Sequence, residues 1–262
     1  MRLPFNVLKV IPYQKYSGLE NMAIDRLLVE RVVEWQTPVI RFYGWNPWCL
    51  SLGRHQSVTE VDREALKQRG FDLVRRPTGG SAILHARELT YSFVMPRQPG
   101  MDHHEMYEWL HLHLAAALNE AGYPVELSTA SPRGNYLKGN VDVFACFNRK
   151  AKSEIHYKGK KVVGSAQKIY QEAILQHGSL MIGEEHREIL SFLRLDGEER
   201  EKQKRLLQNN AIALNSIREA TVAPRQLCAI ILKRLNDYHL EETNPAAPRL
   251  ENAKKYFDEF LL

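Results

Sequence analysis

The middle of this chain is filled with short apolar runs, broken at close intervals by glycine, proline and asparagine, with helical periodicity before, between and after them. That pattern calls for a sheet of short strands with helices packed on it. Val39-Ile40-Arg41-Phe42-Tyr43 and Cys49-Leu50-Ser51-Leu52 read as strands joined through the turn Gly44-Trp45-Asn46-Pro47. Asp72-Leu73-Val74-Arg75, residues 89–95 and Ala173-Ile174-Leu175-Gln176 read as further strands, and Glu154-Ile155-His156-Tyr157 and Lys161-Val162-Val163 bracket a hairpin turn at Lys158-Gly159-Lys160. Ser17-Gly18-Leu19-Glu20 is a capping box ahead of Ile24, Leu27, Leu28, Val32 and Trp35 at helical spacing, a helix that Pro38 stops. A short polar helix is expected over residues 59–69. Asp102 caps another, with Met106, Leu110, Leu114, Ala117 and Ala121 as its buried stripe. Pro224 starts one carrying Leu227, Ile230, Ile231, Leu235 and Tyr238, and the chain also turns helical after His186. Residues 243–248 read as a linker and 250–262 as a short terminal helix, so the expected division is a domain over 1–242 followed by 243–262. Strands in the middle and helices toward the end predict an α+β layer arrangement.

Hydrophobic residues at 44% and charged residues at 26% suit a soluble globular chain of 262 residues. No stretch is long and apolar enough to span a membrane, and Met1-Arg2-Leu3-Pro4-Phe5-Asn6 lacks the apolar core of a signal peptide. Three cysteines, odd and few, argue against a disulfide framework and for a reducing cytoplasm. A net charge of +5 suits an acidic partner without naming it. No basic–aromatic stripe supports nucleic-acid binding.

Of the three cysteines, Cys49 and Cys228 sit among apolar neighbours, whereas Cys146 stands where an apolar run gives way to Asn148-Arg149-Lys150-Ala151-Lys152. A thiol is a poor nucleophile until ionised, and nearby positive charge lowers its pKa. Lys161 follows in Gly159-Lys160-Lys161-Val162-Val163-Gly164-Ser165-Ala166-Gln167. On charge alone Lys158, Lys160 and Lys161 read as a solvated hairpin tip. The small residues Gly164, Ser165 and Ala166 would let a ligand lie against the backbone. Upstream, Arg75-Arg76-Pro77-Thr78-Gly79-Gly80-Ser81 places a glycine-rich turn after a strand. It lacks the Gly-Lys-Ser/Thr of a P-loop and the third glycine of a dinucleotide fingerprint. Strand alternation turns only one of Arg75 and Arg76 toward a site. His85, His156 and His177 flank these segments and read equally well as ordinary strand histidines. His103, His104, His111 and His113 share a helix, but Glu108 stands where a zinc-protease motif needs its second histidine, so no metal site is expected.

With these segments in place, the chain resembles the biotin/lipoate A/B protein ligase superfamily, and within it the bacterial octanoyl-carrier-protein:protein N-octanoyltransferases related to lipoate ligase. The matching blocks are Asn21-Met22-Ala23-Ile24-Asp25, the run from Pro38 through Gly44 to Trp45, Arg75 to Gly80, Glu88-Leu89-Thr90-Tyr91-Ser92, Ala145-Cys146-Phe147, Gly159 to Gln167 and Leu175-Gln176-His177-Gly178-Ser179. The resemblance implies a mixed, largely antiparallel sheet with packed helices, the fold of class II aminoacyl-tRNA synthetases and biotin ligases. It implies that Cys146 carries an octanoyl thioester, and that Lys161 lowers its pKa and holds the acyl carbonyl. Arg75, Arg76, Thr78, Gly79, Gly80, Ser81, His85, Gly164, Ser165, Ala166, His177 and Gly178 are the expected acyl- and substrate-binding residues.

The implied reaction moves an octanoyl group from octanoyl-acyl carrier protein, through Cys146, to a lysine of an apo lipoyl domain or glycine cleavage H protein. Neither cofactor nor metal is needed, because the energy is already in the thioester. The alternatives are an ATP-dependent lipoate–protein ligase using Lys161, and a non-catalytic carrier-binding subunit of a two-chain ligase. The cysteine at position 146, and the little room left for the ligases' usual C-terminal accessory domain, favour the transferase. Two departures bear on selectivity. Ser81 stands where relatives commonly have glycine or arginine, and Arg149-Lys150-Ala151-Lys152 where they often have a Pro-Ser pair.

Overall fold

The structure, a computed structural model, describes residues 3–100, 102–128, 153–219, 222–243 and 250–262. The chain opens with β1 (Val7–Tyr16), then α1 (Gly18–Trp35), β2 (Val39–Trp45), β3 (Cys49–Leu52), α2 (Arg63–Gln68), β4 (Asp72–Arg75), β5 (Ile83–His85) and β6 (Glu88–Pro96). Next come α3 (His103–Glu120), β7 (Glu126–Leu127), β8 (Ile155–Tyr157), β9 (Lys160–Lys161), β10 (Val163–Ile169) and β11 (Ala173–Met181). A 3-10 helix over Glu184–Phe192 leads to α4 (Gly197–Asn210), α5 (Leu214–Ile217), α6 (Pro224–Lys233), β12 (His239–Glu242) and α7 (Leu250–Ala253), with a 3-10 turn over Lys254–Glu259.

Six strands form the main sheet in the order β10-β11-β6-β2-β1-β12. The pairs β10/β11, β11/β6 and β6/β2 are antiparallel, while β2/β1 and β1/β12 are parallel. The sheet is therefore mixed and largely antiparallel, as expected, and a smaller sheet β4-β3-β5 stands beside it. Both faces of the main sheet are covered, and the strands show this by alternation. Ile40, Phe42, Phe93 and Ile174 belong to the core shared with α3 and α6. Val39, Tyr43, Val94 and Leu175 belong to the core shared with α1 and the C-terminal residues Ala253, Tyr256 and Phe260.

Local signals account for the element ends. Ser17 caps α1 in a reciprocal box with Glu20, and Asp102 caps α3 with Glu105. Lys158 and Gly159 both take positive φ, 47° and 74°, the geometry of a two-residue hairpin turn between β8 and β9. Several boundaries differ from the sequence reading. β2 runs on through Gly44 and Trp45, because pairing with β1 reaches Lys15↔Gly44 and Tyr16↔Trp45 and the turn waits for Asn46-Pro47. α2 starts at Arg63, where Asp62 accepts from the Ala65 N–H. The terminal segment is a single α-turn followed by 3-10 geometry, and Ala121 lies just past the end of α3. β1 was not foreseen. Its pattern mixes polar and apolar positions, and its pairing with β2 and β12 is long-range.

Candidate functional site

A cavity with about 440 Å³ of empty space, mouth included, opens where β10 and β11 approach the small sheet. β10 and β11 contribute Gly164, Ser165, Ala166, His177, Gly178 and Ser179. Opposite them stand Arg76 and Gly80 of the glycine-rich turn and Ile83 and His85 of β5. Tyr43, Trp45 and Thr90 of the main sheet and Met22 of α1 complete the wall. Gly178 is required by close approach: a Cβ there would lie 2.5 Å from Ser165 Oγ and 2.7 Å from the Tyr91 hydroxyl. Gly80 has φ +93°, and a Cβ on it would meet Arg76 Nη2 at 2.9 Å.

Two buried carboxylates hold the two histidines of the wall. His177 Nδ1 lies 3.4 Å from Asp25 Oδ2, and its Nε2 lies 2.6 Å from Thr78 Oγ1. His85 Nδ1 lies 2.8 Å from Glu88 Oε1, and its Nε2 lies 2.8 Å from Ser51 Oγ. A carboxylate only accepts, so each ring donates from Nδ1, and the neutral His177 ring accepts the Thr78 hydroxyl proton at Nε2. Burial pushes the His177 pKa below its ordinary value and keeps the ring neutral. His85 also stacks on Trp45 at 4.0 Å with 14° between planes.

The carboxylates stay ionised through their partners. Burial pushes Asp25 upward, but Arg41 Nη1 at 2.7 Å, the His177 contact and a 2.8 Å bond from Ser92 Oγ bring its pKa below the ordinary value. The Tyr43 hydroxyl also donates to Asp25, at 2.9 Å. Glu88 is likewise pushed upward by burial and brought below its ordinary value by His85, Ser179 at 2.6 Å and Thr90.

The structure divides the expected site residues. Arg76, Gly80, His85, Gly164, Ser165, Ala166, His177 and Gly178 meet on the cavity wall. Arg75 does not: its Nη1 donates to the carbonyls of Gly53, Arg54 and Gln56, and Arg76 takes the site face as alternation required. Thr78 stands behind His177, and the Gly79 and Ser81 carbonyls each accept from Arg76 Nη2 at 2.8 Å, so these three support the wall rather than line it. Lys161 is no solvated hairpin tip. It is buried, with Nζ 2.6 Å from Glu154 Oε1, and it is not among the lining residues. His156, also buried, faces the same carboxylate at 3.5 Å. Cys146 and the loop Arg149–Lys152 lie outside the described residues.

Sequence reasoning did not single out Asp25, Arg41, Glu88 or His111 as site residues. Arg41 carried a signal, a charge set within the apolar run Val39-Ile40-Arg41-Phe42-Tyr43. His111 did not, since one buried histidine among four on a helix looks like any other. Away from the cavity, Asp102, His103 and His104 bring potential ligand atoms within 4.8 Å of one another on the outside of α3. Asp102 there is already engaged as the helix cap.

The sequence model of the lipoyl protein ligase A/B catalytic domain matches residues 17–236. An octanoyltransferase LipM of an Exiguobacterium strain is 37% identical over 76% of this chain and 74% of its own. One from Kyrpidia tusciae is 34% identical over 81% of this chain and 80% of its own. Among solved structures, a bipartite lipoate protein ligase from Thermoplasma acidophilum superposes with a TM-score of 0.74 at 17% identity, covering 97% of this chain and 93% of that one. A lipoate-protein ligase A bound with ATP also gives 0.74, at 18% identity, covering 97% and 95%. These structural likenesses bear on the fold, and the sequence matches bear on descent: the chain belongs to the lipoyl protein ligase A/B catalytic domain family.

Proposed function

We propose that this protein is an octanoyltransferase of protein lipoylation, moving an octanoyl group from octanoyl-acyl carrier protein to a lysine of an apo lipoyl domain or glycine cleavage H protein. The observation that carries the reading is the cavity. Gly164, Ala166 and Gly178 on one wall leave backbone close to whatever fills it, and buried polar side chains stand opposite. The names of the sequence relatives agree with it.

In this reading Cys146 is the nucleophile. Its thiolate attacks the carrier thioester and the carrier's thiolate leaves. The acceptor amine then attacks the octanoyl-cysteine, the C–S bond breaks as the Cys146 thiolate departs, and the nitrogen passes its extra proton to that thiolate or to solvent. Cys146 stands seven residues before Ser153 along the chain. The Ser153 carbonyl is 2.5 Å from His111, which also touches cavity-lining Ser165, and seven residues can span up to roughly 25 Å. Lys161 would favour the thiolate, with Glu154 offsetting part of its field. The excess of basic residues suits an acidic carrier surface, and a cytoplasmic location fits the sparse cysteines. No helix among the described residues is long and apolar enough to cross a membrane.

The test is intact mass. Purified protein incubated with octanoyl carrier protein, without nucleotide or magnesium, should gain one octanoyl group, sensitive to hydroxylamine, and pass it to apo H protein. Strict dependence on ATP, retained in Cys146→Ala, would replace this reading with a lipoate ligase.

A further inference from the structure

Ser165, Gly178 and Tyr91 stand in register across β10, β11 and β6. Because Gly178 has no side chain, the Tyr91 hydroxyl reaches across it to Ser165 Oγ at 2.6 Å. His111 of α3 closes the group, with Nε2 2.8 Å from Ser165 Oγ and 3.3 Å from the Tyr91 hydroxyl. Its Nδ1 lies 2.5 Å from the Ser153 carbonyl.

These contacts determine where the protons sit. A carbonyl cannot donate, so His111 Nδ1 carries a hydrogen. Burial lowers the His111 pKa to about 4, so at neutral pH Nε2 is a bare acceptor. Burial raises Tyr91 to about 12, so it keeps its proton. Two hydroxyl protons must then be shared among Ser165, Tyr91 and Nε2. In the arrangement with the shorter bonds, Ser165 donates to His111 and Tyr91 donates to Ser165. In the other, Tyr91 donates to His111 and Ser165 donates to Tyr91. Either way the Ser165 proton is spent inside the group, and Ser165 offers the cavity only a lone pair.

We propose that Ser165, made acceptor-only by His111 and Tyr91, receives an N–H of the acceptor lysine's amine and aims its lone pair at the acyl carbon. This rests on the octanoyltransferase reading above and adds a residue specific to its second half-reaction. As the C–N bond forms, the nitrogen becomes positive and its hydrogen bond to Ser165 strengthens, so the contact stabilises the transition state more than the ground state. His111 and Tyr91 are positioning residues in this scheme.

The half-reactions separate the possibilities. Octanoyl-enzyme made from octanoyl carrier protein is presented either with an apo lipoyl domain or with dithiothreitol, whose thiolate has no N–H. Ser165→Ala should acylate within about twofold of the unsubstituted rate and transfer to dithiothreitol equally well. Its transfer to the lysine should fall on the order of tenfold or more. The variant strands no buried group, because His111 Nε2 and the Tyr91 hydroxyl are already 3.3 Å apart and can pair. Should it not fold, Ser165→Gly carries the same comparison. Tyr91→Phe leaves Ser165 donating to His111 and should transfer within about threefold. Equal slowing toward both acceptors, slowed acylation, or unchanged transfer to lysine overturns the proposal. Failure of the unsubstituted protein to form any octanoyl-enzyme overturns instead the function on which it rests.

Discussion

Arg41 places a full charge in the protein interior. It sits mid-strand, 1% exposed, and spends its donors on Asp25, the Asn21 side-chain oxygen and the Asn21 carbonyl. Removing the anion would leave a buried guanidinium uncompensated, which typically costs about 3–5 kcal/mol. Asp25→Asn should lower the unfolding free energy by that order at pH 7, and with it the denaturant midpoint, and it should also loosen His177 in the cavity wall. Urea unfolding measures the first effect; an unchanged midpoint would show that Arg41 finds another partner. The thiols give a second residue-scale prediction. Cys49 and Cys228 are buried, and burial raises both pKa values, that of Cys228 to about 12. Native alkylation with iodoacetamide near pH 7 should therefore add one group, on Cys146, while denatured protein should take one on each of the three cysteines. A native adduct on Cys49 would contradict the burial, and none on Cys146 would count against its proposed role.

At the scale of elements, the cavity depends on three strands staying in register. Gly178→Ala adds a methyl against Ser165 Oγ and the Tyr91 hydroxyl, both under 3 Å away in adjoining strands. Overpacking of this kind costs roughly 1–3 kcal/mol, and it would split the Tyr91–Ser165 bond. Octanoyl-enzyme formation and thermal midpoint should both fall; full acylation with an unchanged midpoint would mean that the strands shift freely. The β8–β9 hairpin supplies a contrast between neighbours. Lys161 is buried against Glu154, whereas Lys160 is partly exposed and donates to the Gln208 carbonyl at 2.9 Å. Lys161→Ala leaves a buried carboxylate without this cation. It should destabilise the fold and move Cys146 alkylation to higher pH, while Lys160→Ala should do neither to a measurable extent. Matching pH profiles for the two variants would return Lys161 to a purely structural part.

At the scale of the whole molecule, the buried groups Asp25, Glu88, His111 and His177 all push the response to acid in the same direction. Asp25 and Glu88 have folded pKa values below their ordinary ones, so the stability they contribute is fully present above about pH 4 and is lost as pH falls through the folded values. His111 and His177 also have lowered pKa values, so the unfolded chain takes up their protons first, from about pH 6.5 downward. Both pairs make stability rise with pH. The thermal midpoint should therefore decline steadily from about pH 6.5 to pH 4, and His111→Gln should flatten part of that decline. A midpoint constant across this range would mean that the buried groups are solvated more than their packing implies.

How far each level was legible follows the range of the interactions behind it. The caps at Ser17 and Asp102, the turn at Lys158-Gly159 and the alternation separating Arg75 from Arg76 were readable because backbone chemistry within a few residues decides them. Of the glycine-rich turn, only Arg76 and Gly80 reach the cavity wall. β1 was not readable, because its strand character depends on β2 and β12, the latter more than 200 residues away. Nor was the burial of Lys161, which turns on Glu154 meeting it across a hairpin. The chain alone determined which segments fold locally, and the family blocks within it indicated a chemistry. Tertiary structure alone decided that Asp25 would hold His177, that Glu88 would hold His85, and that His111 and Tyr91 would claim the proton of Ser165. Those pairings join residues up to 152 positions apart, and they exist only once the sheet has brought its strands into register.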